Sequence, residues 1–221
     1  MKNKENKKSY SVTLTNGRIK NLIPECRILK IRGSVALYQD LKLERISTHG
    51  YSIFHSQVVA EALSNSGSCV IKENCVVDEV TNTGNLKMKN GQIYKIFSSG
   101  KLSIEQTLQS KQFHSIGIVQ ANVIHSERFQ LKLSGTSRIE RLITHHATVE
   151  KENLSFPLLK KKLICKYIKG SNLQLANTDA EVVEGDIVVI NKHCNIQTLY
   201  YKENYSISSF ANVQQIIRSE M

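Results

Sequence analysis

The stretch that decides the fold runs from Ile46 to Met88: "ISTHGYSIFHSQVVAEALSNSGSCVIKENCVVDEVTNTGNLKM". Gly50, Gly67 and Gly84 each close a short polar run, and each lies seventeen residues from the next. No phosphate-binding or catalytic signature surrounds them. Extended in both directions, the series becomes Gly17, Gly33, Gly50, Gly67, Gly84, Gly100 and Gly117, spaced 16 or 17 residues apart. The chain has only 11 glycines, so most of them belong to one ladder.

Other columns keep the same phase. Four residues after the glycines, from Gly33 onward, stand Leu37, Phe54, Ile71, Met88, Ile104 and Ala121. Four residues before them stand Ile46, Leu63, Val80, Ile96 and Phe113, with Phe129 one unit later. A third column holds Leu41, Val58, Cys75, Gly91, Leu108 and Ile124, and a fourth Leu43, Ala60, Val77, Ile93, Ser110 and Ser126. Self-similarity at a fixed period marks a repeat architecture, whose units bury their apolar faces only by stacking on neighbours. Within each unit the apolar positions sit two apart, the period at which side chains of a strand share a face. No stripe at three- and four-residue spacing persists. The expected fold is therefore all-β, a single-stranded β-helix with about 16–17 residues per coil. The polar runs form one stacked corner, where Gly supplies either a positive backbone dihedral or a missing Cβ.

Composition agrees. The 221 residues are 40% hydrophobic but only 6% aromatic, with no Trp. Val, Ile and Leu therefore build the core, as suits layered strands. The formal charge of +11 permits an anionic partner, but Lys and Arg are spread along the chain, so nucleic acid is not the expected ligand. No apolar run reaches 18 residues and the polar start has no signal-peptide core, which points to the cytoplasm. The four lysines of "MKNKENKKSY" suit peripheral contact with an anionic inner membrane surface. Five cysteines without a CxxC pair fit a reducing compartment.

The domain reading has five parts. Residues 1–11 form a disordered basic tail and 12–143 the regular coils. Residues 144–162, where the phase is lost and Pro157 occurs, form an irregular excursion. Residues 163–202 continue the β-helix, with Ile168, Val183 and Leu199 repeating, and 203–221 form a cap or tail.

Catalytic signatures are lacking: there is no GxSxG, Walker loop or GxGxxG. His145 and His146 are adjacent and read as a solvated loop pair, since neighbours on a strand face opposite ways. The same holds for His193 and Cys194, with Cys194 turned inward. Cys69 and Cys75 read as core residues. The acid pairs Asp78 with Glu79 and Glu181 with Glu184 read as solvated faces rather than sugar-cleaving carboxylates. No cofactor or metal is expected.

The segments "VVAEALSNSGSCVI", "SSGKLSIEQTLQSKQF", "LKLSGTSRIERL" and "AEVVEGDIVVINKHCNIQTLYY" resemble the bactofilins, bacterial polymer-forming cytoskeletal proteins, and among them the divergent Gram-positive branch. The resemblance covers about residues 12–202. It implies a right-handed β-helix of triangular section that polymerises end to end without nucleotide. It also implies a scaffold in cell shape, envelope organisation or motility, with itself or a paralogous subunit as partner. Independently of family, a β-helix leaves unpaired backbone groups only at its end coils. Contacts are therefore expected near residues 12–32 and 186–217, where Phe210, Val213, Ile216 and Ile217 either join a second copy or cap the rod. Two alternative readings are a β-helix acyltransferase, whose hexapeptide units and eighteen-residue coils do not match this ladder, and a basic module binding DNA or another anionic polymer.

Overall fold

A computed structural model describes residues 10–152 and 160–219. The described residues contain strands and no helix. In chain order the strands are β1 (Tyr10–Ile19), β2 (Cys26–Leu37), β3 (Leu41–Thr48), β4 (Tyr51–Phe54), β5 (Val58–Asn65), β6 (Ser68–Asn82) and β7 (Asn85–Ser98). They continue as β8 (Lys101–Leu133), β9 (Thr136–Lys151), β10 (Lys162–Leu175), β11 (Thr178–Ile190), β12 (Asn195–Ile207) and β13 (Asn212–Arg218). All pair in parallel, each with the next coil, in one sheet wound into a solenoid of about 12 turns. The all-β solenoid expected from the glycine ladder is the fold observed.

The columns stack as read. Cys75 lies opposite both Val58 and Gly91, and Val80 opposite Leu63 and Ile96. Every residue of the Ile46-to-Phe129 column is buried, and Phe113 and Phe129 stack with ring centroids 4.7 Å apart. One inward column escaped the sequence reading: Val35, Ser52, Cys69, Leu86 and Leu102, two residues after successive glycines, are all buried.

The corner explains the glycines. A Cβ added to Gly50 would lie 2.1 Å from the Gly33 carbonyl oxygen. The corresponding distance is 2.0 Å from Gly67 to Gly50, 2.1 Å from Gly84 to Gly67, and 2.0 Å from Gly100 to Gly84. Those carbonyls are held in place by the coil above, since Ser68 N–H donates to Gly50 O and Asn85 N–H to Gly67 O, both at 2.8 Å. The requirement is therefore the absent Cβ. Among the glycines only Gly17 has a positive φ, 125°.

The structure corrects three boundaries. Residues 144–151, expected in the irregular excursion, belong to β9 and keep the phase: Ala121 faces Ile139, Ser126 faces Thr144 and Phe129 faces Ala147. This coil is one residue longer than its predecessors, which displaced the motif in the sequence without displacing it in space. The true interruption lies between Lys151 and Lys162, because β10 meets β9 with Cys165 opposite Ile139. Pro157 lies outside the described residues. The segment from 203 onward is not a tail: β12 runs on to Ile207, and β13 adds a further coil, pairing Ile196 with Val213 and Leu199 with Ile216. At the other end Tyr10 and Ser11 belong to β1; residues 1–9 of the expected basic tail lie outside the described residues.

Past the interruption the corner changes its chemistry. Asn177 and His193 occupy it with φ of 51° and 62°, the left-handed region that Asn tolerates better than most residues. The ladder glycines and Gly135, which lies before the interruption, differ in what they forbid. Gly67→Ala sets a Cβ against fixed backbone and is expected to cost at least about 3 kcal/mol, the upper end for overpacking. Gly135→Ala meets only the Ile118 side chain, Cδ1 at 3.0 Å and Cγ1 at 3.2 Å, and is expected to cost about 1 kcal/mol. Denaturant unfolding of both variants measures the difference.

Candidate functional site

The two end coils combine open backbone with incompletely covered core. Among the described residues β1 pairs only with β2, and β13 only with β12. At the first end Val12, Leu14, Ile19 and Leu22 continue the inward columns but are only partly buried. At the second end Ile207, Ala211 and Val213 do the same. The four residues singled out in the sequence fall into three roles. Val213 extends the Phe54 column and Ile216 the Val58 column, so both are the last members of core stacks, and Ile216 is 41% exposed. Phe210 sits on the corner, 66% exposed, beneath the Lys192 ammonium at 5.4 Å. Ile217 points outward and half-buried beside Tyr200. None of them folds back over the end as a cap.

The residues considered for chemistry stay apart. His145 and His146 are both exposed on β9, at a corner of the solenoid rather than in a loop. Cys69, Cys75, Cys165 and Cys194 all point into the core as free thiols. Burial pushes Cys69, Cys75 and Cys165 up to about 12, so none offers a thiolate near neutral pH. Asp78, Glu79 and Glu181 are exposed. Glu184 accepts a hydrogen bond from Tyr167 and pairs with Lys169 at 2.7 Å, and these two bonds lower its pKa. Among the described residues no group of three His, Cys, Asp or Glu side chains could hold a metal ion. No helix among them is long and apolar enough to cross a membrane.

Sequence reasoning missed a buried polar ladder. Thr48, Asn65, Asn82, Ser98 and Ser115 stand two residues before successive glycines, and their polarity assigned them to the solvated corner. All five are buried. Thr48 Oγ1 donates to Asn65 Oδ1 at 2.7 Å, Asn65 Nδ2 to Asn82 Oδ1 at 2.7 Å, and Asn82 Nδ2 to Ser98 Oγ at 3.0 Å. Asn65 and Asn82 also donate to the Gly67 and Gly84 carbonyls, at 3.2 and 3.3 Å. The ladder thus secures the corner from inside. The signal was present: these residues lie two from the buried Ile46 column, on the same face of the strand.

No protein-family model, curated protein or solved structure matches the chain.

Two outcomes follow from this geometry. Asn82→Ala strands the amide of Asn65 and the hydroxyl of Ser98 in the core and is expected to lower stability by about 2–4 kcal/mol, measured by denaturant unfolding. Thiol alkylation near about pH 8, mapped by mass spectrometry, should leave Cys69, Cys75 and Cys165 unlabelled in the folded protein and label them once it is denatured.

Proposed function

We propose that the protein is a non-enzymatic bacterial scaffold, of the bactofilin type, that assembles end to end into filaments without nucleotide. The observation that supports this most directly is the state of the end coils. Both present unpaired strand edges and core columns that stop with aliphatic side chains half-covered, and a second copy would continue both. An end-on contact leaves the far end of each rod open, so repetition yields a filament rather than a closed ring. The partner is the chain itself or a paralogous subunit. The buried thiols and dispersed acids give no support to the acyltransferase reading, and the distributed cations give none to a DNA-binding one. The cytoplasm, with peripheral contact at an anionic membrane surface, is the setting this role requires.

Electron microscopy of purified protein in nucleotide-free buffer tests the proposal, with filaments the expected outcome. Val213→Lys and Leu14→Lys place a charge on the end of a core column without touching the interior coils. Each should shorten or abolish filaments while leaving the β circular-dichroism signal intact. Wild-type protein that stays monomeric at high concentration would overturn the reading.

A further inference from the structure

Spread along the sequence, the cations nevertheless gather at one place in the fold. Where β10 is laid on β9 after the interruption, an open cleft of about 620 Å³ lies on the side of the rod. Arg138, Lys151, Lys160, Lys161 and Lys162 line it, against one lining carboxylate, Asp179, among the described residues. The topology builds this cluster. Arg138, Ile164 and Asp179 stack in one outward column, and Thr136 and Lys162 pair in the column beside it. Lys151 ends β9, while Lys160 and Lys161 lead into β10, so both edges of the interruption deliver cations to the same cleft.

Elsewhere on the rod, cations are met by carboxylates of neighbouring coils, as in Lys87–Glu105, Lys89–Glu73 and Lys169–Glu184. The cleft departs from that rule. Lys162 takes Asp179 at 2.5 Å, and the buried Lys161 ammonium donates to the Glu152 carbonyl at 2.9 Å. Arg138, Lys151 and Lys160 are exposed and form no ion pair among the described residues. Neighbouring carboxylates do not make up the deficit. Glu140, two residues along β9 from Arg138, is engaged by Lys166 at 2.5 Å, and Glu150 by Lys132 at 3.3 Å. Glu152 adds at most one further negative charge, and residues 153–159, "NLSFPLL", contain no Asp or Glu. Like charges gathered in a cleft raise the local potential, and an entering anion relieves their repulsion.

The cleft is also held in shape. Thr136 Oγ1 donates to the Lys160 carbonyl at 2.9 Å and Asn177 Nδ2 to the Lys161 carbonyl at 3.4 Å, so the chain that carries the lysines is tied to β9 and to the next corner. Ile164, 39% exposed, supplies an apolar patch between the charges.

We propose that this cleft binds a compact ligand with clustered phosphate charge, of the diphosphate or phosphorylated-headgroup class. A single carboxylate would leave most of the cations uncompensated, whereas guanidinium and ammonium groups together suit phosphate oxygens. The volume lies within the roughly 300–1,000 Å³ of small-molecule sites. A local cleft, rather than a basic stripe along the rod, suits a compact ligand better than an extended polymer. Since β12 and β13 follow these coils, the site is separate from the end contacts and does not depend on filament formation.

Titration calorimetry with inorganic pyrophosphate at about 0.15 M salt tests the site. Saturable binding is expected, and Arg138→Gln, Lys151→Gln and Lys160→Gln combined should weaken it at least about thirtyfold. Lys30→Gln, Lys42→Gln and Lys72→Gln remove the same charge elsewhere on the rod and should change it less than about threefold. Lys151→Arg with Lys160→Arg keeps the charge and should retain binding, with the β circular-dichroism signal intact in all three variants. No saturable binding by wild-type protein, equal loss in the two glutamine variants, or loss in the arginine variant would overturn the proposal. Flotation with phosphatidylcholine vesicles, with and without phosphatidylglycerol, distinguishes the source. Vesicle binding that pyrophosphate competes away assigns the phosphate to a headgroup, and pyrophosphate binding without vesicle binding assigns it to a free ligand.

Discussion

The structure depends on one close approach. At the glycine corner the carbonyl oxygen of each coil occupies the place where a Cβ of the next coil would stand, about 2 Å away. That approach fixes three things together. It allows the N–H after the glycine to reach the carbonyl below, it sets the height at which coils repeat, and it keeps every inward column in register with its neighbours. Register matters because a strand that slips by one residue exchanges its two faces. In a chain whose core is mainly aliphatic, with little shape to distinguish one coil from another, side-chain packing alone would define register poorly. The corner supplies the missing definition.

The buried polar ladder acts on the same point from within. Asn65 and Asn82 each hold the coil above and the glycine carbonyl of their own corner, so hydrogen-bond direction is added to steric exclusion. Such a network is specific only while it is satisfied. It ends at Ser98; the Ser115 hydroxyl, next in the column, has no partner among the described residues, and the column then continues as Leu131, Val149, Leu175 and Ile190. Beyond the interruption the corner passes to Asn177 and His193 in the left-handed region. The rod thus has two construction rules, one of hydrogen-bonded amides beneath glycines and one of aliphatic side chains beneath strained corners.

This division also accounts for what the sequence revealed. Where glycine is demanded by backbone contact, its spacing shows directly, and the columns from Leu41 to Ile124 could be read by counting from it. Where a positive φ at Asn177 or His193 does the turning, the residue type gives little notice, because both are common on polar surfaces. The coil of β9 was lost for a simpler reason: one added residue moved Gly135 and Leu142 out of phase, although Leu142 sits directly over Ile124. Counting residues measures chain length, whereas stacking conserves position. The polarity of Thr48, Asn65 and Asn82 masks their inward turn, which only their alternation with Ile46, Leu63 and Val80 marks. The end residues Val213 and Ile216 were legible as apolar, but their roles as column ends required the pairing of β13 with β12.

A solenoid built this way is stabilised chiefly by contacts between adjacent coils, so each interior coil is supported twice and each end coil once. The missing half of that support is the same at both ends: strand edge, and aliphatic side chains of the inward columns. An end that resembles an interior coil in every respect except its absent neighbour is poorly protected by its own sequence. Protection elsewhere in β proteins comes from charges, prolines or a covering segment. Among the described residues the core columns close with the aliphatic Val12, Leu14, Val213 and Ile216, which are only partly covered. The interior coils, by contrast, carry their charges outward in coil-to-coil pairs such as Lys87–Glu105 and Lys132–Glu150, which occupy the surface without obstructing the stack. The distribution of charge thus leaves the ends as the surfaces with the least to lose when covered.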